Sequence, residues 1–184
     1  MRIVAGRYRG KTLSVPDGKN TRPTADRARE SVFNVLDSRL RASGRFWSDL
    51  KAADVFAGTG AMGLEAVSRG VTDVVFMEND AQAMRCLRQN AQTAERDGVK
   101  ISFLSDVFRA AAADGPRDLI FSDAPYGKNL TMPALTVLIE KGYIRKGTEC
   151  VIECEKTEKT DFGAVFTVGD CRIYGRAAFY FLTY

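Results

Sequence analysis

From Lys51 to Glu153 short apolar runs alternate with longer amphipathic stretches, and that alternation constrains the fold more than any other feature of the chain. Ala52 to Phe56, Asp73 to Met77, Lys100 to Leu104, Asp118 to Phe121 and Glu149 to Glu153 read as strands. Ala61 to Arg69, Asp80 to Thr93, a short piece from Val107 to Ala113 and Met132 to Lys141 read as helices. Parallel strands need long crossovers, and helices on both faces bury each strand along its whole length, so a mostly parallel α/β sheet is expected. Two later runs, Ala164 to Val168 and Ala178 to Thr183, have only Gly169-Asp170-Cys171 and a few polar residues between them. They predict a C-terminal antiparallel hairpin added to the sheet. At 184 residues the chain suits one such core with a small appendage.

The appendage is the N-terminus. Arg2 to Ala5 and Lys11 to Val15 read as two strands around the turn-prone Gly6-Arg7-Tyr8-Arg9-Gly10. Residues 1–23 are therefore expected to form a basic β-hairpin extension ahead of a main domain over residues 24–184. Thr24 is a candidate N-cap for a helix from Ala25 to Leu40. Ala28, Val32, Leu36 and Leu40 recur every four residues on its buried side, while Arg27, Ser31 and Asn34 line a second face open to substrate. Charge follows the same division: residues 1–45 hold 11 Lys and Arg against 4 Asp and Glu, and residues 46–184 hold 16 against 19. Clustered cations at one end predict a polyanionic partner, bound through its phosphates.

Composition removes several chemistries. There is no histidine, so Ser-His and Cys-His nucleophiles and an imidazole base are excluded. Cys86, Cys150, Cys154 and Cys171 lack CxxC spacing and predict reduced thiols without a metal. No apolar run approaches the ~18 residues of a membrane span. Met1 to Arg7 has no secretory core, so a cytoplasmic location is expected.

Gly58, Gly60 and Gly63 satisfy G-x-G-x-x-G in a strand-turn-helix context, within Asp54-Val55-Phe56-Ala57-Gly58-Thr59-Gly60-Ala61-Met62-Gly63. Glycine permits the tight turn, the approach of a ligand and the close packing of the next helix. By pattern alone the loop suits NAD as well as S-adenosylmethionine. Glu78, at the end of the second strand, is placed to accept from ribose hydroxyls. Asp106 follows the third strand and could accept from an adenine amino group, with Val107 beside the ring, or could cap the next helix.

Asp123-Ala124-Pro125-Tyr126 follows the fourth apolar run and combines a carboxylate, a bend and an aromatic ring. An exocyclic amine of a nucleobase is a poor nucleophile because its lone pair is delocalised into the ring. Hydrogen-bond acceptors that hold the amino hydrogens favour a more tetrahedral nitrogen. Asp123 and the carbonyl of Ala124 or Pro125 can accept, and Tyr126 can stack on the base. With a sulfonium donor no strong base is needed before attack, which suits a chain without histidine. The target base must be flipped or unpaired to reach such a pocket.

These motifs resemble the cofactor and target-amine motifs of class I S-adenosylmethionine-dependent amino-methyltransferases. Arg2-Ile3-Val4-Ala5-Gly6, Arg22-Pro23-Thr24, Asp26-Arg27, Arg29-Glu30 and Phe33-Asn34 further resemble the RsmD family of bacterial 16S rRNA (guanine-N2)-methyltransferases, over nearly the whole chain. The resemblance implies a Rossmann-like seven-stranded fold and methylation of one guanine N2 in small-subunit rRNA, presented within an assembling subunit to a monomeric enzyme. It implies that Asp54, Gly58, Gly60, Glu78 and Asp106, with neighbouring Phe56, Ala57, Thr59, Asn79 and Val107, bind S-adenosylmethionine. It assigns amino-group recognition to Asp123 through Tyr126 and RNA contacts to Arg7, Arg9, Lys11, Arg22 and Arg27. Ala124 departs from the family, which usually has a proline there. An adenine-N6 methyltransferase of DNA or RNA, which tolerates Asp at the first clamp position, is the alternative within this chemistry. An NAD-dependent oxidoreductase and a non-catalytic RNA-binding module are the alternatives outside it.

Overall fold

Each of the five strands expected between Lys51 and Glu153 forms and ends within two residues of its apolar run: β1 (Lys51–Val55), β2 (Asp73–Met77), β3 (Lys100–Leu104), β4 (Leu119–Asp123) and β5 (Glu149–Glu155). The computed structural model describes residues 1–16, 23–158 and 160–184, residues 23–25 by backbone alone. With β6 (Thr167–Tyr174) and β7 (Ala177–Thr183) the strands form one seven-stranded sheet in the order β3-β2-β1-β4-β5-β7-β6. The first five are parallel, and β7 pairs antiparallel with both β5 and β6. All five residues of β2 are buried, as a central strand covered on both faces requires. The helices are α1 (Pro23–Ser43), α2 (Ala61–Arg69), α3 (Ala81–Arg96) and α4 (Thr131–Glu140). Val32 and Phe33 of α1, Leu64 and Val67 of α2 and Leu87 of α3 pack on one face of the sheet. Leu135 and Leu138 of α4 cover the other.

The chain leaves β1 for β2 on one side and returns to β4 on the other, so the order reverses between β1 and β4. In open α/β sheets ligands bind outside the carboxyl ends of the strands at such a reversal. Helix α2 starts there, and Gly63 in its first turn allows it to lie close to β2. A Cβ on Gly63 would come 2.4 Å from Phe76 Cε1 and 3.1 Å from Asp54 Cβ. Gly63→Ala is therefore expected to destabilise the protein by about 1–3 kcal/mol through overpacking. Urea titration of the two proteins is the check, and an unchanged midpoint would mean that α2 lifts off β2 without cost.

Four expectations need correction. The N-terminal hairpin is a single Arg2–Thr12 bridge rather than two strands. Ile3 N still donates to Lys11 O (3.0 Å), but Val4 N and Ala5 N donate to the Glu65 carboxylate of α2 at 2.8 and 3.0 Å. Arg7 N and Tyr8 N go to Ser68 O and Oγ (2.7 and 2.9 Å), so the segment divides its donors between itself, where Gly10 N reaches Ile3 O and Leu13 N reaches Met1 O, and α2. Gly6 makes that contact possible, since its φ is 79° and a Cβ there would lie 2.0 Å from Ser68 O. Secondly, α1 starts at Pro23, so Thr24 is inside the helix and not its cap. A proline is tolerated in the first turn, where its missing N–H would have no partner.

Thirdly, the helix expected from Val107 to Ala113 is one 3-10 turn, Val107–Arg109. Asp106 caps it, and Ala113 N is drawn to Lys141 O at 2.8 Å, which takes the chain away from a helical path. Finally, the C-terminal hairpin uses Thr167–Tyr174, not Ala164 to Val168, and turns at Gly175-Arg176 with Gly175 at φ 61°. β6 is an edge strand that is exposed along most of its length, so no apolar run marks it.

Candidate active site

Each acidic residue picked out by its position after an apolar run stands at the carboxyl end of a strand. Glu78 anchors the glycine loop: its Oε2 accepts from Gly58 N (2.6 Å) and its Oε1 from Asp80 N (2.7 Å). Asp80 in turn caps α3 by accepting from Ala83 N at 2.7 Å. Phe56 leaves β1 at φ 56°, a left-handed conformation that a bulky residue adopts only under tertiary constraint. A Cβ at Gly58 would meet nothing within 4 Å, so the loop faces open space at this point. Ala57 is nearly buried, Thr59 is partly exposed and Asn79 is exposed beside Glu78.

Asp54 is buried, and its Oδ2 accepts from Gly63 N at 2.8 Å. Burial pushes its carboxyl up to about 8, the Gly63 amide opposes the shift and Glu78 adds to it. Its hydrogen bond to Gly63 N fixes the first turn of α2. Asp106 makes the cap, its Oδ1 accepting from Phe108 N at 3.0 Å; one hydrogen bond uses only part of a carboxylate's acceptor capacity. Val107 is only 2 % exposed and packs into the core under α4, so it is not the apolar surface expected beside a ring. Phe108, 39 % exposed, stands beside it with Phe56, their rings tilted at 57° and centroids 6.4 Å apart. Sequence reasoning misses Phe108 because its neighbour Val107 fits the same role.

On the other side of the strand-order reversal, Asp123 ends β4 and opens onto a cavity of about 530 Å³ between α1 and the β5–β7 strands. Tyr126 lines the same cavity, 38 % exposed, and its hydroxyl donates to Glu153 Oε1 at 2.6 Å. Asp123 and Glu153 are register partners on adjacent parallel strands. Asp123 is exposed to the cavity, yet the protein packed around it raises its carboxyl well above the ordinary range, chiefly by desolvation, and Glu153 and then Asp54 raise it further. Burial also raises Glu153, with the Tyr126 hydrogen bond pulling the other way. Burial and the bond to Glu153 hold the Tyr126 phenol protonated throughout the physiological range. Ala124 is buried behind the clamp, and Pro125 O accepts from Lys128 N at 3.4 Å.

The cationic residues do not gather at this cavity. Helix α2 runs from the carboxyl edge of the sheet to the opposite edge, roughly 13 Å at 1.5 Å per residue. Arg7 and Arg9 sit by its far end, where Arg7 Nη2 lies 3.2 Å from Asp97. Lys11 is tied to α3, its Nζ donating to Asn90 O (3.0 Å) and Thr93 Oγ1 (2.6 Å). Arg22 lies outside the described residues. Arg27 is exposed on α1, beside Ala28 and Arg29 of the cavity wall. Arg176 of the β6–β7 turn also lines the cavity; sequence reasoning misses it because the apolar runs put that turn earlier, around Gly169 to Cys171. The face of α1 expected to be open is partly closed, since the Ser31 hydroxyl bonds that of Tyr174.

A family model described as "Conserved hypothetical protein 95" matches residues 1–183. The chain is 30% identical over 155 residues to Ribosomal RNA small subunit methyltransferase D of Escherichia coli strain K12, covering 84% of this chain and 75% of that one. It is 31% identical over 160 residues to the protein of the same name from Haemophilus influenzae, covering 85% and 79%. The solved structure of yhhF from Escherichia coli matches with a TM-score of 0.82 at 29% identity, over 100% of this chain and 97% of that one.

Proposed function

The chain belongs to the family described as conserved hypothetical protein 95, and from that membership we propose that it transfers a methyl group from S-adenosylmethionine to the exocyclic N2 of a guanine in small-subunit rRNA. The observation that carries the reading is the pairing of Asp123 and Tyr126 on a base-sized cavity at the strand-order reversal, next to the loop that Glu78 holds. The two named relatives are rRNA methyltransferases of the small subunit, which supports the substrate class.

The residues present fit S-adenosylmethionine. Glu78 and Asp106 are acceptors, matching ribose hydroxyls and an adenine amino group, and Phe56 and Phe108 offer apolar surface for the ring. Acidic groups dominate these strand ends, which favours a ligand with cationic centres over the pyrophosphate of NAD. When bound, S-adenosylmethionine supplies an electrophilic methyl: the N2–C bond forms as the C–S bond breaks, with the bonding pair going to sulfur.

The protein's own part is to hold the amine and take its proton. Asp123 accepts a hydrogen bond from N2–H and, as the carboxylate, receives the proton that the methylated nitrogen sheds. Tyr126 packs on the base, its hydroxyl fixed by Glu153. The exposed Arg27 and Arg176 stand where an RNA strand would approach the cavity, and Arg7 and Arg9 would contact RNA at the far edge of the sheet. A large folded substrate, such as an assembling small subunit, could engage both.

Calorimetry and product analysis test the reading. S-adenosylhomocysteine is expected to give binding heat and NAD none; heat with NAD alone would overturn the cofactor assignment. Small subunits from cells lacking the protein, treated with the enzyme and digested to nucleosides, are expected to yield N2-methylguanosine. N6-methyladenosine in its place would identify the alternative chemistry.

A further inference from the structure

We infer that Glu153 determines the choice of base, accepting a hydrogen bond from guanine N1–H while Asp123 holds the adjacent N2 amino group. The inference rests on the methyltransferase reading above and extends it to a residue that none of the motifs contains. Asp123 and Glu153 are opposite one another in register on β4 and β5, on strands spaced ~4.8 Å apart. Both line the cavity with Tyr126. Register partners in a parallel pair project to the same face, so two carboxylates stand side by side behind one aromatic ring.

Guanine presents two neighbouring donors on its pairing edge, N1–H and the N2 amino group. Adenine and cytosine present an amino group next to a ring nitrogen that is itself an acceptor. A second carboxylate beside Asp123 complements the first pattern and opposes the other two, lone pair against lone pair. Rejection of this kind is strong because the wrong base leaves a buried polar group unpaired.

Three features prepare Glu153 for the task. The Tyr126 hydroxyl fixes its Oε1 at 2.6 Å and favours the ionised form, yet occupies only one of about four acceptor positions on a carboxylate. Phe179, its register partner on β7, lines the same cavity and keeps water from that side. Its charge also raises the Asp123 carboxyl, after the larger effect of desolvation and ahead of that of Asp54. Removing the charge is therefore expected to lower the pH at which Asp123 becomes able to take a proton.

The test compares Glu153→Gln, Tyr126→Phe and the double variant, using small subunits from cells lacking the protein. For E153Q, kcat/KM for the RNA is expected to fall roughly 10- to 100-fold, the value of one hydrogen bond to a charged group. Its affinity for S-adenosylhomocysteine, by calorimetry, is expected to stay within twofold of wild type, and the acidic limb of its pH–rate profile to move to lower pH. Tyr126→Phe keeps the ring and removes only the bond to Glu153, so its loss is expected to be several-fold smaller.

Equal losses in E153Q and Y126F, with none added in the double variant, would mean that Glu153 acts only through Tyr126 and would overturn the inference. So would a fall in S-adenosylhomocysteine affinity, or an acidic limb that does not move. If E153Q does not fold by circular dichroism, Glu153→Asp replaces it. That variant keeps the charge, so it is expected to retain the wild-type acidic limb and lose RNA turnover; full activity in it would overturn the inference. Failure of the underlying reading looks different, since wild-type enzyme would then methylate no guanine at all.

Discussion

Asp123→Ala is expected to reduce methyl transfer by roughly 10³-fold, within the range for losing a positioned acid–base group, while leaving S-adenosylhomocysteine affinity within about twofold. The residue ends β4 on the target side of the strand-order reversal and makes no hydrogen bond to the glycine loop, which Glu78 holds instead. Single-turnover transfer to rRNA and calorimetry with S-adenosylhomocysteine separate the two effects, and a comparable loss in both would place Asp123 on the cofactor side. Asp123→Asn keeps an acceptor for the amino hydrogens but cannot take the proton, so its activity is expected to lie between those of the alanine variant and wild type. Stability is expected to move in the opposite direction. A carboxyl whose folded pKa is raised contributes stability that is full below its unfolded pKa and is lost as pH rises through the folded one. Above neutral pH the alanine variant is therefore expected to unfold at the same or a higher urea concentration than wild type.

Glu78→Ala is expected to have the opposite profile: roughly a 100-fold loss of S-adenosylhomocysteine affinity, from deleting a charged hydrogen-bonding group, with RNA affinity nearly unchanged. One side chain holds both Gly58 N and Asp80 N, so its removal loosens the loop and the start of α3 together and also deletes the ribose acceptor. Glu78→Gln keeps one acceptor oxygen but turns an N–H toward one of the two backbone donors, so it is expected to recover only part of the affinity. Calorimetry on the three proteins is the measurement. Full affinity in the alanine variant would mean that the ligand is held elsewhere.

Much of this site is legible in the amino-acid sequence. A buried parallel strand is a continuous apolar run, and the polar residue that ends the run lies where ligands bind in an open α/β sheet. Glu78, Asp106 and Asp123 stand out in this way, whereas Asp54 lies inside its apolar run and is marked only by the family resemblance. The pattern gives their location but not their division of labour. Asp54 turns inward to the Gly63 amide, Glu78 holds the loop, and Asp106 caps a turn while retaining acceptor capacity.

Glu153 ends the apolar run of β5 by the same rule but reads only as a strand terminus, because nothing near it in sequence marks it out. Its significance comes from standing opposite Asp123, thirty residues earlier, and from the hydroxyl of Tyr126. The basic N-terminus is legible as charge and not as placement. Lys11 is spent on α3, and Arg7 lies against Asp97 at the far edge of the sheet.

The amino-acid sequence by itself determined the five parallel strands, the crossover helices α2, α3 and α4, the glycine loop and the strand-end acids. Each depends on a pattern a few residues long: burial of a strand, the turn that glycine permits, the break where an apolar run stops. Tertiary structure alone decided that Val4 and Ala5 give their amides to Glu65, that the basic loop sits across the sheet from the cavity, and that Asp123 has Glu153 beside it. Backbone donors near the N-terminus had two sets of acceptors, a partner strand about ten residues away and a helix about sixty residues away. Ile3, Gly10 and Leu13 use the first, Val4, Ala5, Arg7 and Tyr8 the second, and no local pattern records a choice between distant partners.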